Sequence, residues 1–178
     1  MKSLTKTFLI LLCSFLFLNN SCKKNGVNSL PPATQVGANT FGCLVGGKAW
    51  VPTGNGVGTP AIAGGITKDP QDRFELYIRT YKQNEKMVIY IKPPISIGNN
   101  YIDRTTIVFP SAVYPESYCL YNNSVSDFIT NNIYTGVVNI SRFDTIQKIV
   151  SGTFSFKAVN QAANESIIVE SGRFDIKN

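Results

Sequence analysis

The chain contains no histidine. That removes Ser-His-Asp and Cys-His nucleophile systems and every histidine-ligated metal site. Carboxylate chemistry is left. The 11 Asp and Glu residues permit a two-acid glycan hydrolase, which needs its carboxyl groups ~5–10 Å apart, but no spacing marks out a pair. Asp69 and Asp72 flank Pro70 and are candidates for calcium. The EF-hand pattern is absent, and an ordinary solvated turn is the favoured account of both acids. Gly54-Asn55-Gly56-Val57-Gly58 shares only composition with a phosphate cradle, because no Lys-Ser/Thr follows it. No Gly-x-Ser-x-Gly elbow occurs. The expectation is no catalytic residue, no metal and no cofactor.

Four cysteines are present. Cys13 lies inside an N-terminal apolar run and Cys22 directly after it. Cys43 and Cys119 fall in the body of the chain. In an oxidising compartment they either close a loop of about 75 residues, worth roughly 3–4 kcal/mol in the chain-entropy model, or remain two separate buried thiols. Both readings stay open at this point.

Tyrosines offer a binding chemistry instead. Tyr77, Tyr81 and Tyr90 fall on neighbouring expected strands, with Tyr77 and Tyr81 opposite Phe74 and Leu76 in the alternation. A sheet face carrying exposed aromatics can stack sugars or grip a partner. The alternative is cross-strand pairing on a half-buried surface.

These groups must be positioned by strands. From Thr40 onward the apolar pattern has period two and is cut by turn residues. Gly46-Gly47 reads as a tight hairpin turn, Trp50 as core, and the glycine-rich stretch Thr53 to Gly65 as a long loop with a short strand near Ile62. Strands are expected over 73–81, 86–92, 101–109, 118–121, 133–143, 148–159 and 165–176, with one helical turn over 124–130. Ser151-Gly152-Thr153-Phe154 is echoed by Ser171-Gly172-Arg173-Phe174, which suggests two arms of one antiparallel hairpin with aromatic anchors. About 8–10 short strands predict an all-β domain, either an antiparallel β-sandwich or a partly closed β-barrel.

The N-terminus reads as an export signal. Lys2 and Lys6 precede the apolar run Phe8 to Leu18, which is too short for a spanning helix of ~20 residues. Cys22 followed by Lys23-Lys24 resembles a lipoprotein processing site, with Leu18 and Ser21 in a looser version of the usual box. The domain expectation is therefore a signal over 1–21, a lipidated flexible tether over 22–39, and a single all-β domain over 40–178. The net charge of +6 is concentrated near the N-terminus. The remaining basic residues are scattered, which excludes a nucleic-acid footprint.

The stretch Leu30-Pro31-Pro32, then Gly37 through Pro52 with Gly42-Cys43-Leu44-Val45-Gly46-Gly47-Lys48-Ala49-Trp50, resembles the opening of an uncharacterised family of Bacteroidetes-type lipoproteins. Ser151-Gly152-Thr153-Phe154 and Gly172-Arg173-Phe174-Asp175 are similar to its closing strands. The resemblance implies an exported β-domain on a tether and brings no activity. In such proteins surface display goes with acidic residues after the lipidated cysteine. Lys23-Lys24-Asn25-Gly26 has none, so a periplasm-facing position in the outer membrane is expected. Asp144-Thr145-Ile146 looks like the O-glycosylation signal of the same kind of organism, with Thr145 as acceptor.

Three functions follow as expectations. The first is a non-catalytic binding or structural module with a protein, glycan or lipid partner, held to the membrane by its anchor. The second is a lipocalin-like carrier of a small apolar ligand, which would need an enclosed cavity. The third is the carboxylate-dependent hydrolase.

Overall fold

The computed structural model describes residues 29–54 and 58–178. The export signal, Cys22 and the first part of the tether lie outside the described residues, as do Asn55, Gly56 and Val57 of the glycine-rich loop. The fold is all-β, with 54% strand and no helix among the described residues, in an antiparallel sheet curled into a half-barrel. The expectation of an antiparallel all-β domain holds, and of its two forms the partly closed barrel is the one found.

Among the described residues, eleven strands build it. They are β1 (Thr40–Val45), β2 (Lys48–Trp50), β3 (Ile62–Lys68), β4 (Phe74–Lys82), β5 (Glu85–Ile91), β6 (Gly98–Ile102), β7 (Tyr118–Asn122), β8 (Asp127–Ile129), β9 (Gly136–Asp144), β10 (Ile149–Asn160) and β11 (Glu165–Lys177). The sheet order is β2-β1-β11-β10-β8-β7-β5-β4-β3, and β9 also pairs with β10 and carries β6 on its other edge. β10 is therefore a branch point: its first half holds β9 and its Val159 reaches β8. Bulges at Gly42/Leu44, Ser151/Gly152 and Phe154/Phe156 interrupt three ladders. An extra residue on one strand increases local twist and bends it, which is how an open sheet is made to curl.

Alternation sorts the side chains onto two faces. Leu76 and Ile78 of β4, Met87, Ile89 and Ile91 of β5, and Cys119 and Tyr121 of β7 point into the curl. There they meet Phe41, Trp50, Phe154, Phe156 and Phe174 in one buried cluster. The other face of the same strands carries Tyr77, Val88, Tyr90, Tyr118 and Leu120.

The echoed motif explains itself in the register of β10 and β11. Gly152 faces Phe174 and Phe154 faces Gly172. Each ring lies over the glycine of the opposite strand: a Cβ on Gly172 would sit 2.6 Å from three atoms of the Phe154 ring, and one on Gly152 would sit 2.8 Å from Phe174 Cζ. The two motifs are the two halves of one interlocking pair, as the hairpin reading expects.

Four sequence expectations need correction. The tether expected over 22–39 is not free from Leu30 onward. Leu30 is buried, Pro31 packs on Gly42, and Val36, Gly37 and Ala38 donate their N–H groups to Asp175. A buried carboxylate with several donors aimed at it holds this stretch as a strap on β11. The strand expected over 101–109 ends at Ile102, and residues 103–117 form a long loop. The helical turn expected over 124–130 is a hydrogen-bonded turn leading into β8, with the Asn123 side chain accepting from Val125 and Ser126. An Asx turn competes with helix initiation and wins here. The segment near Ile62 is a full strand, β3, despite Gly64 and Gly65. Both glycines have positive φ, and a Cβ on Gly64 would meet the Tyr77 carbonyl oxygen at 2.0 Å, so only glycine lets β4 approach this closely.

Candidate functional site

The long loop 103–117 shapes two clefts on the flank of β5. Its apolar residues Val108 and Phe109 cover the outer tyrosines. Phe109 packs edge-on against Tyr77 at 5.8 Å and Tyr90 at 5.4 Å between ring centroids. Tyr77 and Tyr90 are cross-strand neighbours, and Tyr90 is only 3% exposed. The expected open face of Tyr77, Tyr81 and Tyr90 is thus corrected. Two of the three belong to a small second core under the loop, and Tyr81 is half-buried opposite Lys86. The cause is the loop itself, whose Phe109 supplies the apolar cover that a sheet face this aromatic requires.

Where the loop leaves the sheet, two clefts open on either side of Lys92 and Pro93, which line both. The first has a volume of about 240 Å³ and is walled by Tyr101, Arg104 and Glu116. The second, about 270 Å³, is walled by Arg73, Glu75, Tyr90 and Tyr114. Proline rings at Pro93, Pro94 and Pro115 contribute fixed backbone to the walls.

The polar groups of this groove are already organised. Arg73 makes a two-pronged contact with Asp69 Oδ2, from Nε at 2.8 Å and from Nη2 at 2.6 Å. Asp69 Oδ1 also accepts the backbone N–H groups of Gln71 and Arg73. Burial raises the Asp69 carboxyl, and the Arg73 contacts outweigh it and hold the group below the usual carboxylate value. Asp69 and Asp72 do not share a site: Asp72 is exposed and pairs with Lys68 at 2.6 Å, as the solvated-turn reading expects, whereas Asp69 is buried against Arg73. No cluster of three metal-ligating side chains occurs among the described residues.

On the floor, Tyr90 donates its hydroxyl to Glu75 Oε2 at 3.0 Å and Thr67 donates to Oε1 at 3.1 Å. Burial, followed by the hydrogen bond to Glu75 and the charge of that carboxylate, pushes the Tyr90 phenol well above its ordinary value. In the first cleft Glu116 joins Lys92 at 2.7 Å and Arg104 at 3.7 Å. Ser117 Oγ accepts the Lys92 N–H at 3.0 Å. The rims differ from the floor. Tyr101 and Tyr114 are 66% and 61% exposed, and Tyr114 is steadied through its hydroxyl by Gln71 at 2.8 Å.

The other expected sites lie elsewhere. Cys43 and Cys119 are both buried free thiols, so the disulfide reading is corrected in favour of two separate thiols. Cys43 sits on β1 against Met87 Sδ at 3.8 Å, and Cys119 sits on β7 beside Ile89 of β5. Burial raises both well above the ordinary thiol value. Thr145 lies half-buried in the β9–β10 turn, where Asp144 Oδ1 accepts the N–H groups of Ile146 and Gln147. Cys22 lies outside the described residues. The interior of the curl, where a carrier would hold its ligand, is occupied by the Phe41, Trp50, Phe154 and Phe156 rings. No helix among the described residues is long and apolar enough to cross a membrane.

Sequence reasoning missed Arg73, Lys92, Tyr101, Tyr114 and Glu116 as a group. The available signal was the stretch 103–117, which holds Pro110 and Pro115 and breaks the alternation. Loops of that length within a compact domain are uncommon and are usually functional.

Fold and site together define an all-β half-barrel with a polar, tyrosine-rimmed groove on its flank. Within that class, the chain belongs to a domain family of unknown function, DUF6252, whose model matches residues 66–175. The match runs from β3 into β11 and takes in both clefts, while the strap, β1 and β2 lie before it. No curated protein and no solved structure matches the chain.

Proposed function

We propose that this protein is a cell-envelope lipoprotein whose β-domain is a non-catalytic binding module, with the groove around Lys92 as its site. The groove is the single observation that carries the reading. It is concave, its polar groups converge, and its walls are held by ion pairs rather than left to move. Such pre-formed clefts are where ligands bind in most folds. Three of its acids, Asp69, Glu75 and Glu116, are engaged by hydrogen bonds or ion pairs, and the chain has no histidine, which suits binding better than acid–base turnover.

The anchoring part rests on the sequence around Cys22. Acyl chains there would hold the domain to a bilayer, because several chains on one residue bind far better than one, and the lack of acidic residues in Lys23-Lys24-Asn25-Gly26 favours a periplasm-facing position at the outer membrane. Two measurements test the reading. Intact mass of the mature chain should show acylation at Cys22, and Cys22→Ser should abolish partition into detergent. A photoreactive residue at Val113, on the rim of the groove, should form adducts in intact envelopes. The same residue at Ile146, which lines neither cleft, should form none. An unmodified Cys22 defeats the anchoring; equal adducts at both positions, or none, defeat the site.

A further inference from the structure

We infer that the groove takes a neutral saccharide, with Tyr101 and Tyr114 stacking on sugar rings placed in the two clefts. The inference rests on the proposed binding role of the groove and names its ligand class.

Size is the first constraint. At ~30 Å³ per water, each cleft has room for roughly eight or nine water molecules, the scale of one ring-sized ligand. Because Lys92 and Pro93 line both, the clefts are immediate neighbours, which suits a chain of linked rings better than a single compact molecule.

Charge is the second. Arg73 is neutralised by Asp69, and Lys92 and Arg104 share Glu116. Among the described residues no cation pairs with Glu75, whose carboxylate accepts the Tyr90 and Thr67 hydroxyls. Asp103 adds a further acid to the first cleft. Three cations, Arg73, Lys92 and Arg104, thus face four acids, Asp69, Glu75, Asp103 and Glu116, so the groove has no net positive charge to attract an anion, and a carboxylated or sulfated ligand would have to break pairs already made. An apolar ligand would strand these same groups without water. A hydroxyl group both donates and accepts, so it can use the spare N–H groups of Arg73, Lys92 and Arg104 and the spare lone pairs of Asp69, Glu75 and Glu116 without displacing either partner.

The rims are the third. The Tyr101 and Tyr114 rings stand exposed beside these polar groups. An aromatic face beside mixed donors and acceptors matches the two surfaces of a pyranose, an apolar C–H face and a hydroxyl-bearing edge.

The test titrates the full chain, purified in detergent, with cello-, malto- and chito-tetrasaccharides. An oligogalacturonate and a proline-rich decapeptide serve as comparators. At least one neutral saccharide should bind, and Tyr101→Ala and Tyr114→Ala should each weaken it by about tenfold. Ile146→Ala should leave it unchanged. Both tyrosines are largely exposed, so their variants should keep the parent melting temperature. The inference is overturned if no neutral saccharide binds up to ~10 mM, if neither tyrosine affects binding, or if the oligogalacturonate or the peptide binds more tightly. Should one of these occur while the Val113 adducts persist, the ligand class fails and the binding role stands. Should the adducts also be absent, both fail.

Discussion

The ring of Phe154 lies flat over Gly172 of the neighbouring strand, so close that an added Cβ would stand 2.6 Å from three of its atoms. Phe154 is buried against Phe41, Phe156 and Phe174 and has no free volume to retreat into. Gly172→Ala should therefore cost about 1–3 kcal/mol, the usual penalty for forcing atoms into a packed core. Gly152→Ala should cost more, because its Cβ would also meet the Asn139 carbonyl oxygen at 2.2 Å. Urea denaturation at constant m-value checks both; a neutral Gly172→Ala would contradict the packing.

Asp175 makes the fold sensitive to acid. Its carboxylate accepts Thr34 Oγ1 at 2.6 Å, Ser151 Oγ at 2.7 Å and three backbone N–H groups of the strap. Burial alone would raise its pKa, but these hydrogen bonds outweigh it and hold the group far below the usual carboxylate value. A depressed folded pKa contributes stability that is fully present above the unfolded value of ~3.9 and is lost as pH falls toward the folded value. Stability should drop below about pH 4, and Asp175→Asn should remove that part of the slope. At neutral pH the same variant should lose roughly 1.5–3 kcal/mol, the worth of hydrogen bonds to a charged group. Amides of Val36, Gly37 and Ala38 should then exchange quickly. Slow exchange there in the variant would show that the strap has another hold.

The two core cysteines should be silent. Both are buried, and burial raises both thiols well above their ordinary value, which removes the reactive thiolate. Iodoacetamide should label neither Cys43 nor Cys119 in the folded protein and both after denaturation. Dithiothreitol should not change the melting temperature. A mass gain of about two daltons on reduction would mean a bridge and would overturn the assignment.

Phe109 should matter more than its place in a loop suggests. It caps Tyr77 and Tyr90, so Phe109→Ala should uncover the second core and cost about 2–4 kcal/mol. Because the same loop walls the groove, this variant should also lose ligand binding. Wild-type stability in Phe109→Ala would mean that the loop does not seal the tyrosine face.

The sheet was legible because period-two alternation survives from Arg73 to Tyr81 and again in the last two strands. The reciprocal Gly and Phe positions even announced the β10–β11 pairing. The strap was not legible: Leu30 to Asn39 has the composition of a linker, and its grip comes from Asp175, about 140 positions away, through a buried carboxylate that composition cannot reveal. The groove was hidden for a related reason. Its walls come from β4, β5, β6 and the loop 103–117, and the tyrosines that alternation placed on an outer face were exchanged for Tyr101 and Tyr114 once Phe109 covered that face. Local period reports which way a side chain points from its own strand, not what a distant loop lays over it.

The most direct test is hydrogen–deuterium exchange of the groove in native envelopes, compared with the same chain purified away from them in detergent. The account predicts slower exchange in the envelope for amides around Lys92, Tyr101, Arg104 and residues 113–116, with the β9–β10 turn at Ile146 unchanged. Equal exchange in both settings, or protection at Ile146 and not at Lys92, would contradict the groove as the place where this protein meets its ligand.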